Sequence, residues 1–557
     1  MTSRLHETLP SAFGSCFPNP EISRPHYPVP SDMPSPLDYL MPRHALARGC
    51  LLLLVTCVGV GFSAEKPLAG EVESAVTYEQ FGAVGDGLTD DLSAIVAAHA
   101  FANEQGRPVR SHPGATYHLG RKALTAVIQT PTDWNTSRFI IDDSQGIEDH
   151  KQSLFEVRSQ LEPVSLTIAR LTAGQERLDV RPATDLLVLI EDANQRRFIR
   201  RGLNVNSGKP QREVFILHRD GTIEGAIEWD YEAVTRVEAW PIDAEPLVLR
   251  GGFFINIANR MKQPEGYNYW ARNILITRSN TVVEGLSYEV VGETDFGHPY
   301  GGFLLARQAA NLTFRDCRID PHKVYSTIGS AGLPVRMGTY GYRAELVVNF
   351  TMSHCRMGDI HNPSLWGVAA TNFMKNVLVE DCVLSRMDVH MGVSGFYIIR
   401  RSTLGHMGIN AIGRGRLVVE DSTVHSRHLI NFRSDYGATW DGDVLVRNSR
   451  WVPPQRKDGT VAVFGVENDG THDFGYPSSM PTGIRIEGLQ IDDGPAREGI
   501  SNVTLFDNPS GAVDATLPHP YRATERVEIF DLKTTSGLTP RVSANPAVAK
   551  IISVTGL

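Results

Sequence analysis

A short phrase, made of an apolar strand, a polar pair and a second short strand, recurs through the C-terminal half of the chain. Four copies lie between residues 377 and 451, and they read VLVEDCVL, YIIRRSTL, LVVEDSTV and VLVRNSRW. Their equivalent positions follow each other at steps of 20, 20 and 27 residues, at Cys382, Ser402, Ser422 and Ser449. The same slot is filled elsewhere by Cys355, Cys317, Leu286 and Leu489. Strand phrases at steps of about 20 to 40 residues predict a solenoid.

The repeated strands indicate which kind of solenoid this is. They are short, rich in β-branched residues and bounded by Gly, Asn, Asp and Ser, and no helical period separates them. We therefore predict an all-β chain built as a parallel β-helix rather than an α-solenoid or a leucine-rich repeat. Each coil of such a helix lies about 4.8 Å above the coil before it.

Length and charge narrow the class of partner. A chain of 557 residues is long for one compact domain, but a solenoid grows simply by adding coils. The net charge is −9 and no Lys/Arg block occurs, which argues against a nucleic-acid partner. A polysaccharide partner, including an anionic one bound through local basic groups, remains open.

The first 64 residues predict export. A Pro- and Ser-rich stretch is followed by the basic segment MPRHALARG and the apolar segment CLLLLVTCVGVGF, the pattern of a secretory signal peptide cleaved after Ala64. The distance from Met1 predicts that translation starts at Met33 or Met41. We expect a secreted, periplasmic or cell-surface protein with no stable membrane span after cleavage; the alternative is an uncleaved anchor.

Three cysteines remain after cleavage, and all three occupy the repeat slot: Cys317, Cys355 and Cys382. Inward-facing cysteines pack as small apolar residues, and an odd number gives no disulfide framework. Close metal-ligand spacing is missing around them, so we predict a stacked structural column, no metal site and no cofactor.

The segment from Val76 to Gly120 predicts a cap. Three glycines mark a loop, Thr89 or Asp90 can begin a helix and Gly106 ends it, so a polar helix would cover the first coil. We interpret Asp86, Asp90 and Asp91 as loop and helix-cap carboxylates rather than metal ligands.

The motif FGAVGDGLTDDLSAI, followed by a Pro-Gly-Ala-Thr-Tyr turn, resembles the opening of the pectate-lyase superfamily of right-handed β-helix proteins. That group includes rhamnogalacturonases, polygalacturonases, polysaccharide epimerases and phage tailspikes. The resemblance covers about 45 residues and implies a right-handed coil. It does not imply one activity, because members cut, isomerise or merely bind sugars.

Residues 165–245 interrupt the coil rhythm. Alternating strands joined by turns such as Asp220-Gly221 predict an antiparallel β insertion. The predicted organisation is a leader at 1–64, a cap and first coils at 65–164, the insertion at 165–245 and the main β-helix at 246–557. The basic pairs Arg196-Arg197 and Arg200-Arg201 are interpreted as a solvated strand face, with an anionic-substrate surface as the alternative.

Counting from the repeat slot places polar residues of successive coils in register. Six positions on lie Lys323, His361, Asp388 and Gly408, and eight positions on lie Tyr325, Pro363, His390 and Asn410. The longer next coil supplies Asn431, Arg433 and Asp435. Because alternate strand residues face the same way, we predict an external polar stripe that forms a carbohydrate site.

Further residues are assigned around this stripe. His406 is predicted to contact substrate or to pack at a corner. GETDFGHPYGG would wall the groove with Asp295, His298 and Tyr300, and the 451–477 segment with His472, Asp473 and Tyr476, unless these residues only hold their loops.

The stripe suits two reactions. β-Elimination on a uronic acid would use His390 or Tyr325 as base, Arg433 or Lys323 as neutraliser and His361 as second proton carrier. Hydrolysis would pair Asp388 with Asp435, although the polygalacturonase motifs are not intact here. The prediction is a secreted polysaccharide lyase, with a glycoside hydrolase and a non-catalytic, tailspike-like binder as alternatives. A purely structural surface protein ranks third, because the coils are irregular.

Overall fold

The computed structural model describes residues 75–454, 460–495 and 501–557. The predicted signal peptide and its cleavage point lie outside these residues. Within the described residues, no helix is both long and apolar enough to cross a membrane.

The first coils are built from short strands and one helix, α1 (Leu92–Gln105). The strands are β1 (Asp86–Asp90), β2 (Val109–Arg110), β3 (Thr116–Leu119), β4 (Ala126–Ile128), β5 (Thr132–Asp133), β6 (Arg138–Asp142) and β7 (Phe155–Val157). Helix α1 packs against β4 and ends at Gly106, whose left-handed φ of 65° suits glycine. The predicted capping helix is therefore present.

The acidic residues before α1 bond the local backbone, as predicted. Asp86 accepts hydrogen bonds from the backbone N–H groups of Leu88 and Thr89, both at 2.8 Å. Asp91, the residue that precedes α1, accepts from the N–H groups of Val84 and Gly85. These carboxylates shape a loop and a helix start.

An antiparallel sheet interrupts the coils at the position where the sequence predicts an insertion. Its strands, in the order β10-β8-β9, are β8 (Leu186–Arg197), β9 (Lys209–Leu217) and β10 (Arg236–Pro241). They share a separate apolar core that includes Val188, Ile190 and Phe215. We call this unit the β module.

The main stack follows the β module. Its elements are β11 (Leu247–Arg250), β12 (Phe253–Ile257), β13 (Ile274–Ile276), β14 (Thr281–Glu284), β15 (Ser287–Val291), β16 (Gly301–Arg315), β17 (Arg318–Ile319), β18 (His322–Lys323), β19 (Tyr325–Ile328), β20 (Pro334–Met337), β21 (Tyr340–Ser353), β22 (Leu365–Trp366), β23 (Val368–Asn372), β24 (Met374–Glu380), β25 (Val383–Val389), β26 (Val393–Arg400), β27 (Thr403–Asn410), β28 (Gly413–Glu420), β29 (Thr423–Val424), β30 (Ile430–Asn431), β31 (Trp440–Trp451), β32 (Val461–Gly465), β33 (Gly483–Ile491), β34 (Val503–Phe506), β35 (Arg526–Thr534), β36 (Arg541–Ser543), the short helix α2 (Pro546–Ile551) and β37 (Ser553–Thr555).

Two long parallel ladders run through this stack. One joins β24, β26, β28, β31, β33, β35 and β37, and the other joins β23, β25, β27, β30, β32, β34 and β36. Each coil contributes one strand to each ladder, which is the arrangement of a parallel β-helix. The exceptions are two antiparallel pairs that project between coils, β18 with β22 and β19 with β20.

The repeat slot forms a continuous buried column at one corner of the coils. The hydroxyl of Ser402 accepts the N–H of Cys382 at 3.0 Å, and that of Ser422 accepts the N–H of Ser402 at 3.1 Å. The residue before each slot adopts a left-handed φ, for example 54° at Asp381 and 48° at Asp421. The polar pair of each phrase is thus a corner, where an Asp, Arg or Asn at positive φ turns the chain.

Cys317, Cys355 and Cys382 are free and buried in this column, so the predicted stack of cysteines is confirmed. The Cys355 thiol donates to the carbonyl of Phe314 at 3.3 Å. The thiols therefore fill the core and bond the corner backbone.

A second ladder, made of asparagines, was not predicted. Asn311 donates to Asn280, Asn349 to Asn311 and Asn376 to Asn349, each at 2.9 Å. All four residues have positive φ values between 51° and 63°. The side-chain amide chain links the same turn of four successive coils.

Candidate functional site

Outward-facing polar residues of the second ladder form the centre of the candidate site. Asp388 on β25 pairs in register with Asn410 on β27, which pairs with Asn431 on β30. The predicted stacking of these coils is therefore present, but the residue count was wrong by two positions. A register irregularity between Leu384 and Arg386 brings Asp388, not His390, beside Asn410.

Asp388 is the hub of a buried ionic network. Its Oδ1 accepts from Arg433 Nη1 at 2.8 Å and from Arg386 Nη2 at 2.7 Å, and its Oδ2 lies 3.2 Å from His390 Nδ1. Arg433 also donates to both oxygens of Asp435, at 3.0 and 2.8 Å. We call Arg386, Asp388, His390, Arg433 and Asp435 the arginine–carboxylate network.

This network corrects the prediction of an external stripe. The side chains of Asp388 and Arg433 are only 2% and 6% exposed. Burial opposes ionisation of Asp388, but Arg386, His390 and Arg433 hold its pKa well below its usual range. Asp388 is therefore an ionised structural carboxylate, and it does not suit the predicted role of acid or base.

Arg433 is likewise corrected as a neutraliser of substrate charge. Each of its three nitrogens already donates to Asp388 or Asp435, and its guanidinium lies 5.2 Å from the centre of the Tyr436 ring. Asp435 has a pKa lowered to about 2, where burial is outweighed by the charge of Arg433. The predicted Asp388–Asp435 acid–base pair is thus a pair of carboxylates that share one arginine.

His390 differs from the rest of the network because part of its ring reaches the surface. Its side chain is 17% exposed and lies edge-on to the rings of Tyr340 and Tyr436. Burial lowers its pKa to about 3, so the imidazole is neutral at neutral pH. A neutral imidazole held through Nδ1 by a carboxylate keeps Nε2 free to act as a base.

The β module contributes to this site from a distant part of the sequence. Arg200 donates from Nε to Asp435 Oδ2 at 2.8 Å, and Arg201 forms an ion pair with Asp469 at 2.8 Å. The backbone carbonyl of Ile199 lies 3.1 Å from His472 Nε2. Residues 198–201, which we call the arm, are therefore fastened to the stack, and the prediction of a solvated strand face is wrong for Arg200 and Arg201.

Residues 472–476 of the predicted wall loop hold the arm and their own loop. Asp473 accepts the N–H of Gly475 at 2.7 Å, and the hydroxyl of buried Tyr476 donates to the carbonyl of Tyr436. These contacts favour the loop-holding alternative for His472, Asp473 and Tyr476.

A polar pocket of about 320 Å³ lies beside the network on the same ladder. We call it the carboxylate pocket, and it is lined by His406, Met407, Ile409, Asn410, Ser426, Arg427, His428, Asn431, Ser434, Glu467 and Asp507. Three residues predicted to bind substrate are among these: His406, Asn410 and Asn431. Asn431 donates to Asn410 at 2.6 Å, and His406 Nδ1 lies 3.0 Å from the carbonyl of Ile360, so the lining is held by local bonds.

Asp507 is the distinctive group of this pocket. One of its oxygens accepts the backbone N–H of Val466 at 2.8 Å. Burial raises its pKa to about 6, and the nearby charge of Glu467 adds to the shift, against Arg427. Glu467 itself is exposed. The pocket therefore presents two carboxyl groups, one of which holds its proton at mildly acidic pH.

Glu467 and Asp507 were missed by the sequence analysis, although a register argument could have found them. Phe464 on β32 pairs with Phe506 on β34. Glu467 follows the first phenylalanine by three residues and Asp507 follows the second directly. Two carboxylates at the ends of strands on neighbouring coils could therefore have been predicted to share a site.

Three predicted catalytic or binding residues lie away from the network. Lys323 and Tyr325 belong to the antiparallel pairs that project between coils, where Lys323 Nζ donates to the Thr294 carbonyl at 2.6 Å and Tyr325 is fully buried. The ring of His361 packs 4.4 Å from that of His425. Their predicted places in the stripe are wrong, because the chain leaves the coil after Ile319 and turns after Met357.

The predicted wall residues also lie elsewhere. His298 and Tyr300 are buried, and Tyr300 accepts the N–H of Asn259 at 2.9 Å while His298 Nδ1 lies 3.2 Å from the Asn259 side chain. Burial lowers the pKa of His298. Asp295 is exposed in the same loop. Tyr300 lies 3.3 Å from the Asn256 side chain, which in turn bonds Asp143 of the buried Asp143–Arg272 ion pair. Tyr300 and His298 therefore belong to the core of the early coils, whereas Asp295 does not.

Among the described residues, no cluster of three or more His, Cys, Asp or Glu side chains could hold a metal ion. The candidate site presents carboxyl, imidazole and guanidinium groups.

The strand ladders and the polar pocket define a parallel β-helix protein with a surface site of titratable side chains. No family model matches the chain. One curated relative is a capsule KL64-specific depolymerase of Klebsiella phage P510, which is 31% identical over 94 residues. The match spans 15% of this chain and 9% of the depolymerase, so the chain covers only a small part of that relative.

Solved structures similar to this chain include two phage tailspikes. The tailspike gp61 of Pseudomonas phage phi297 matches with a TM-score of 0.47 and 11% identity, over 86% of this chain and 83% of that one. The tailspike gp49 of Pseudomonas phage LKA1 gives 0.46 and 13%, over 86% and 84%. An exopolygalacturonase from Thermotoga maritima gives 0.30 and 11%, over 76% and 87%. The group whose opening the N-terminal motif resembles also includes tailspikes and polygalacturonases.

Proposed function

We propose that this protein binds and cleaves a polysaccharide by acid–base hydrolysis in the carboxylate pocket. The observation that carries the proposal is the carboxyl of Asp507, buried beside Glu467 with a pKa raised to about 6. The partial match to a capsule depolymerase supports a polysaccharide as the substrate. We take the coils to be right-handed, because nearly all crossover connections between parallel strands have that handedness.

Glycoside hydrolysis needs one carboxyl that donates a proton to the leaving oxygen and one carboxylate that activates water or attacks the sugar. The acid works best when its pKa lies near the operating pH. Asp507 would be the acid, because it keeps its proton up to about pH 6. Glu467, exposed in the same pocket, would be the carboxylate partner.

Asn410, Asn431 and His406 would orient the sugar. Their side chains line the pocket, and Asn410 and Asn431 are fixed to each other across two coils. Amides held on rigid strands are suited to recognise sugar hydroxyls, because the coils above and below restrict their rotamers.

A second candidate function is β-elimination on a uronic acid, with His390 as the base. The favouring observation is the contact of His390 Nδ1 with Asp388, combined with a ring that is partly exposed. Its pKa of about 3 makes it a weaker base than an ordinary histidine, so this function ranks second. Arg200 and Arg386, both only partly buried, would face the substrate carboxylate. This version of the mechanism assigns no role to Tyr325, Lys323, His361 or Arg433.

The test is a panel of uronic-acid and neutral polysaccharides, with product measured as new reducing ends and as absorbance of unsaturated sugars. Hydrolysis gives reducing ends alone and is lost in Asp507→Asn and Glu467→Gln. Elimination gives both products and is lost in His390→Ala. The matched control is Asp531→Asn, which removes an exposed carboxylate on β35. A protein that binds a polymer but yields neither product would be a non-catalytic binder.

We also propose export and cleavage after Ala64, on the strength of the basic and apolar segments before it. The domain limits of 1–64, 65–164, 165–245 and 246–557 belong to the same proposal.

A further inference from the structure

A second concave surface lies on the other parallel ladder, away from the strands that form the candidate site. It has a volume of about 670 Å³ and crosses β28, β31, β33 and β35. We call it the basic trough, because its charged lining consists of Arg416, Arg447, Arg485, Arg526, Asp443 and Glu528.

The depth of the trough comes from glycines on its floor. Gly415 pairs in register with Gly442, and a Cβ atom on Gly442 would lie 2.1 Å from the carbonyl oxygen of Gly415. A Cβ on Gly483 would lie 2.7 Å from the Asp443 carboxylate. Gly442 has no room for a side chain, and at Gly483 the Asp443 side chain would have to move. The floor is therefore bare backbone with arginines on either side.

The arginines are unequally neutralised. Arg447 and Arg485 share Glu487, at 2.7 Å in the first case. Arg526 lies 3.4 Å from Glu528 and its side chain is 67% exposed. Arg416 is exposed and forms no ion pair within the described part of the chain. Positive charge is therefore available at the two ends of one register column.

That column runs along the stack. Arg416 pairs with Asp443, Asp443 with Gly483 and Gly483 with Arg526. Three coil steps separate the two arginines, which corresponds to about 14 Å. A polymer with repeated acidic groups could reach both ends at once, and two linked contacts bind more tightly than either alone.

An aromatic side chain borders the same surface. Phe530 on β35 is half-exposed, and the guanidinium of Arg485 lies 4.4 Å from the centre of its ring. Phe530 lies two residues beyond Glu528 on the same strand, so both face outward. An exposed aromatic face beside arginines provides a platform for the apolar face of a sugar ring.

We propose that the basic trough is a second glycan-binding site, which takes a polyanionic polysaccharide through its carboxylate or sulfate groups. Exposed ion pairs contribute little free energy, so repeated acidic groups can compete with Glu528 and Glu487 for these arginines. The site is independent of catalysis in the carboxylate pocket, because it shares no residue with it.

The test measures binding of polygalacturonate, dextran sulfate and neutral dextran to the Asp507→Asn protein, which prevents cleavage during the measurement. In low salt, we expect the Arg416→Gln/Arg526→Gln double variant to bind polyanions roughly 10-fold more weakly than its parent. Dextran should bind neither protein. A preference for polygalacturonate over dextran sulfate identifies carboxylate as the recognised group, and the reverse identifies sulfate.

The matched control is Arg110→Gln/Arg177→Gln, which removes the same charge from exposed sites on the first coil and the β module. Two results would overturn the proposal. One is an equal loss of polyanion affinity in both double variants, and the other is a parent protein that binds polyanions no more tightly than dextran. Thermal unfolding of each variant checks that the fold is intact. Cleavage of short oligosaccharides by the Arg416→Gln/Arg526→Gln protein without the Asp507 change should be normal, which separates this proposal from the catalytic one.

Discussion

At the scale of single residues, the molecule contains charged side chains of two kinds: those that pair with each other inside the protein and those that line a pocket. Asp388 and Arg433 are almost fully buried and satisfy each other, whereas Asp507 and Glu467 line a pocket. Sequence position does not distinguish them, since all four are polar residues near strand ends. Their surroundings lower the pKa of Asp388 and raise that of Asp507 to about 6.

Asp388→Asn should be strongly destabilising. The change removes the negative charge that faces Arg386 and Arg433, so that Arg386 loses its ion pair and Arg433 keeps only Asp435. Removing one partner of a buried ion pair costs about 3 to 5 kcal/mol. Chemical denaturation measures this loss. Asp316→Asn, at an exposed corner with a left-handed backbone that asparagine tolerates, is the control and should change stability by less than about 0.5 kcal/mol.

Asp507→Asn should stabilise the protein at pH 7 while abolishing activity. A folded pKa of about 6 lies above the usual value of about 3.9, so the ionised carboxylate disfavours the fold above pH 6. Wild-type stability should thus rise as the pH falls from 7 towards 4, and the variant should lack this rise. We expect a gain of about 1 to 2 kcal/mol at pH 7 and a loss of about 10²-fold or more in turnover.

Thermal unfolding from pH 4 to pH 8, beside turnover on a confirmed substrate, measures both effects. An Asp507→Asn protein with full activity would remove the acid from the proposed mechanism. A wild-type pH profile in which activity persists well above pH 7 would do the same.

At the scale of elements, corners and ladders explain why the coils stack. The slot serines join consecutive coils through hydroxyl-to-backbone bonds, and the asparagine ladder does the same at another turn. The slot was predictable because it repeats in sequence. The asparagines repeat at the same steps of 31, 38 and 27 residues, six positions before the slot residues Leu286, Cys317, Cys355 and Cys382, so the same count could have found them.

Ser422→Ala tests the slot column. The change leaves the buried N–H of Ser402 without its 3.1 Å acceptor, which should cost about 1 to 3 kcal/mol. Ser326→Ala, on an exposed strand of a projecting hairpin, is the control. Equal unfolding free energies for the two variants would show that the column adds no stability.

The arm of the β module is the second element with a testable role. Arg200→Ala removes the ion pair with Asp435 and the contact with the Tyr436 ring. We expect faster amide hydrogen exchange in the arm and in residues 469–475, with little change elsewhere. Arg170→Ala, which breaks an exposed ion pair with Glu232 within the β module, should leave this exchange unchanged.

At the scale of the whole molecule, the prediction concerns export. The segments before Ala64 predict that secreted material begins near Glu65. N-terminal sequencing of the exported protein measures this directly. Retention in the cytoplasm with residues 1–64 intact would contradict it.

The sequence by itself determined the parallel β-helix, the capping helix, the cysteine column and the presence of an antiparallel β module. Each of these depends on local pattern: a repeated slot, a capped helical stretch, or alternating strands joined by turns. Such patterns involve residues close together in the sequence, and each copy of the pattern folds in the same way.

Only the tertiary structure decided the site. The irregularity after Leu384 moved the register by two residues, and excursions of the chain removed Lys323, Tyr325 and His361 from the stripe. Contacts such as Arg200 with Asp435 join residues 235 positions apart. Burial encloses Asp388 among arginines and raises the pKa of Asp507. It arises from everything packed around a side chain, so the neighbouring residues in sequence do not reveal it.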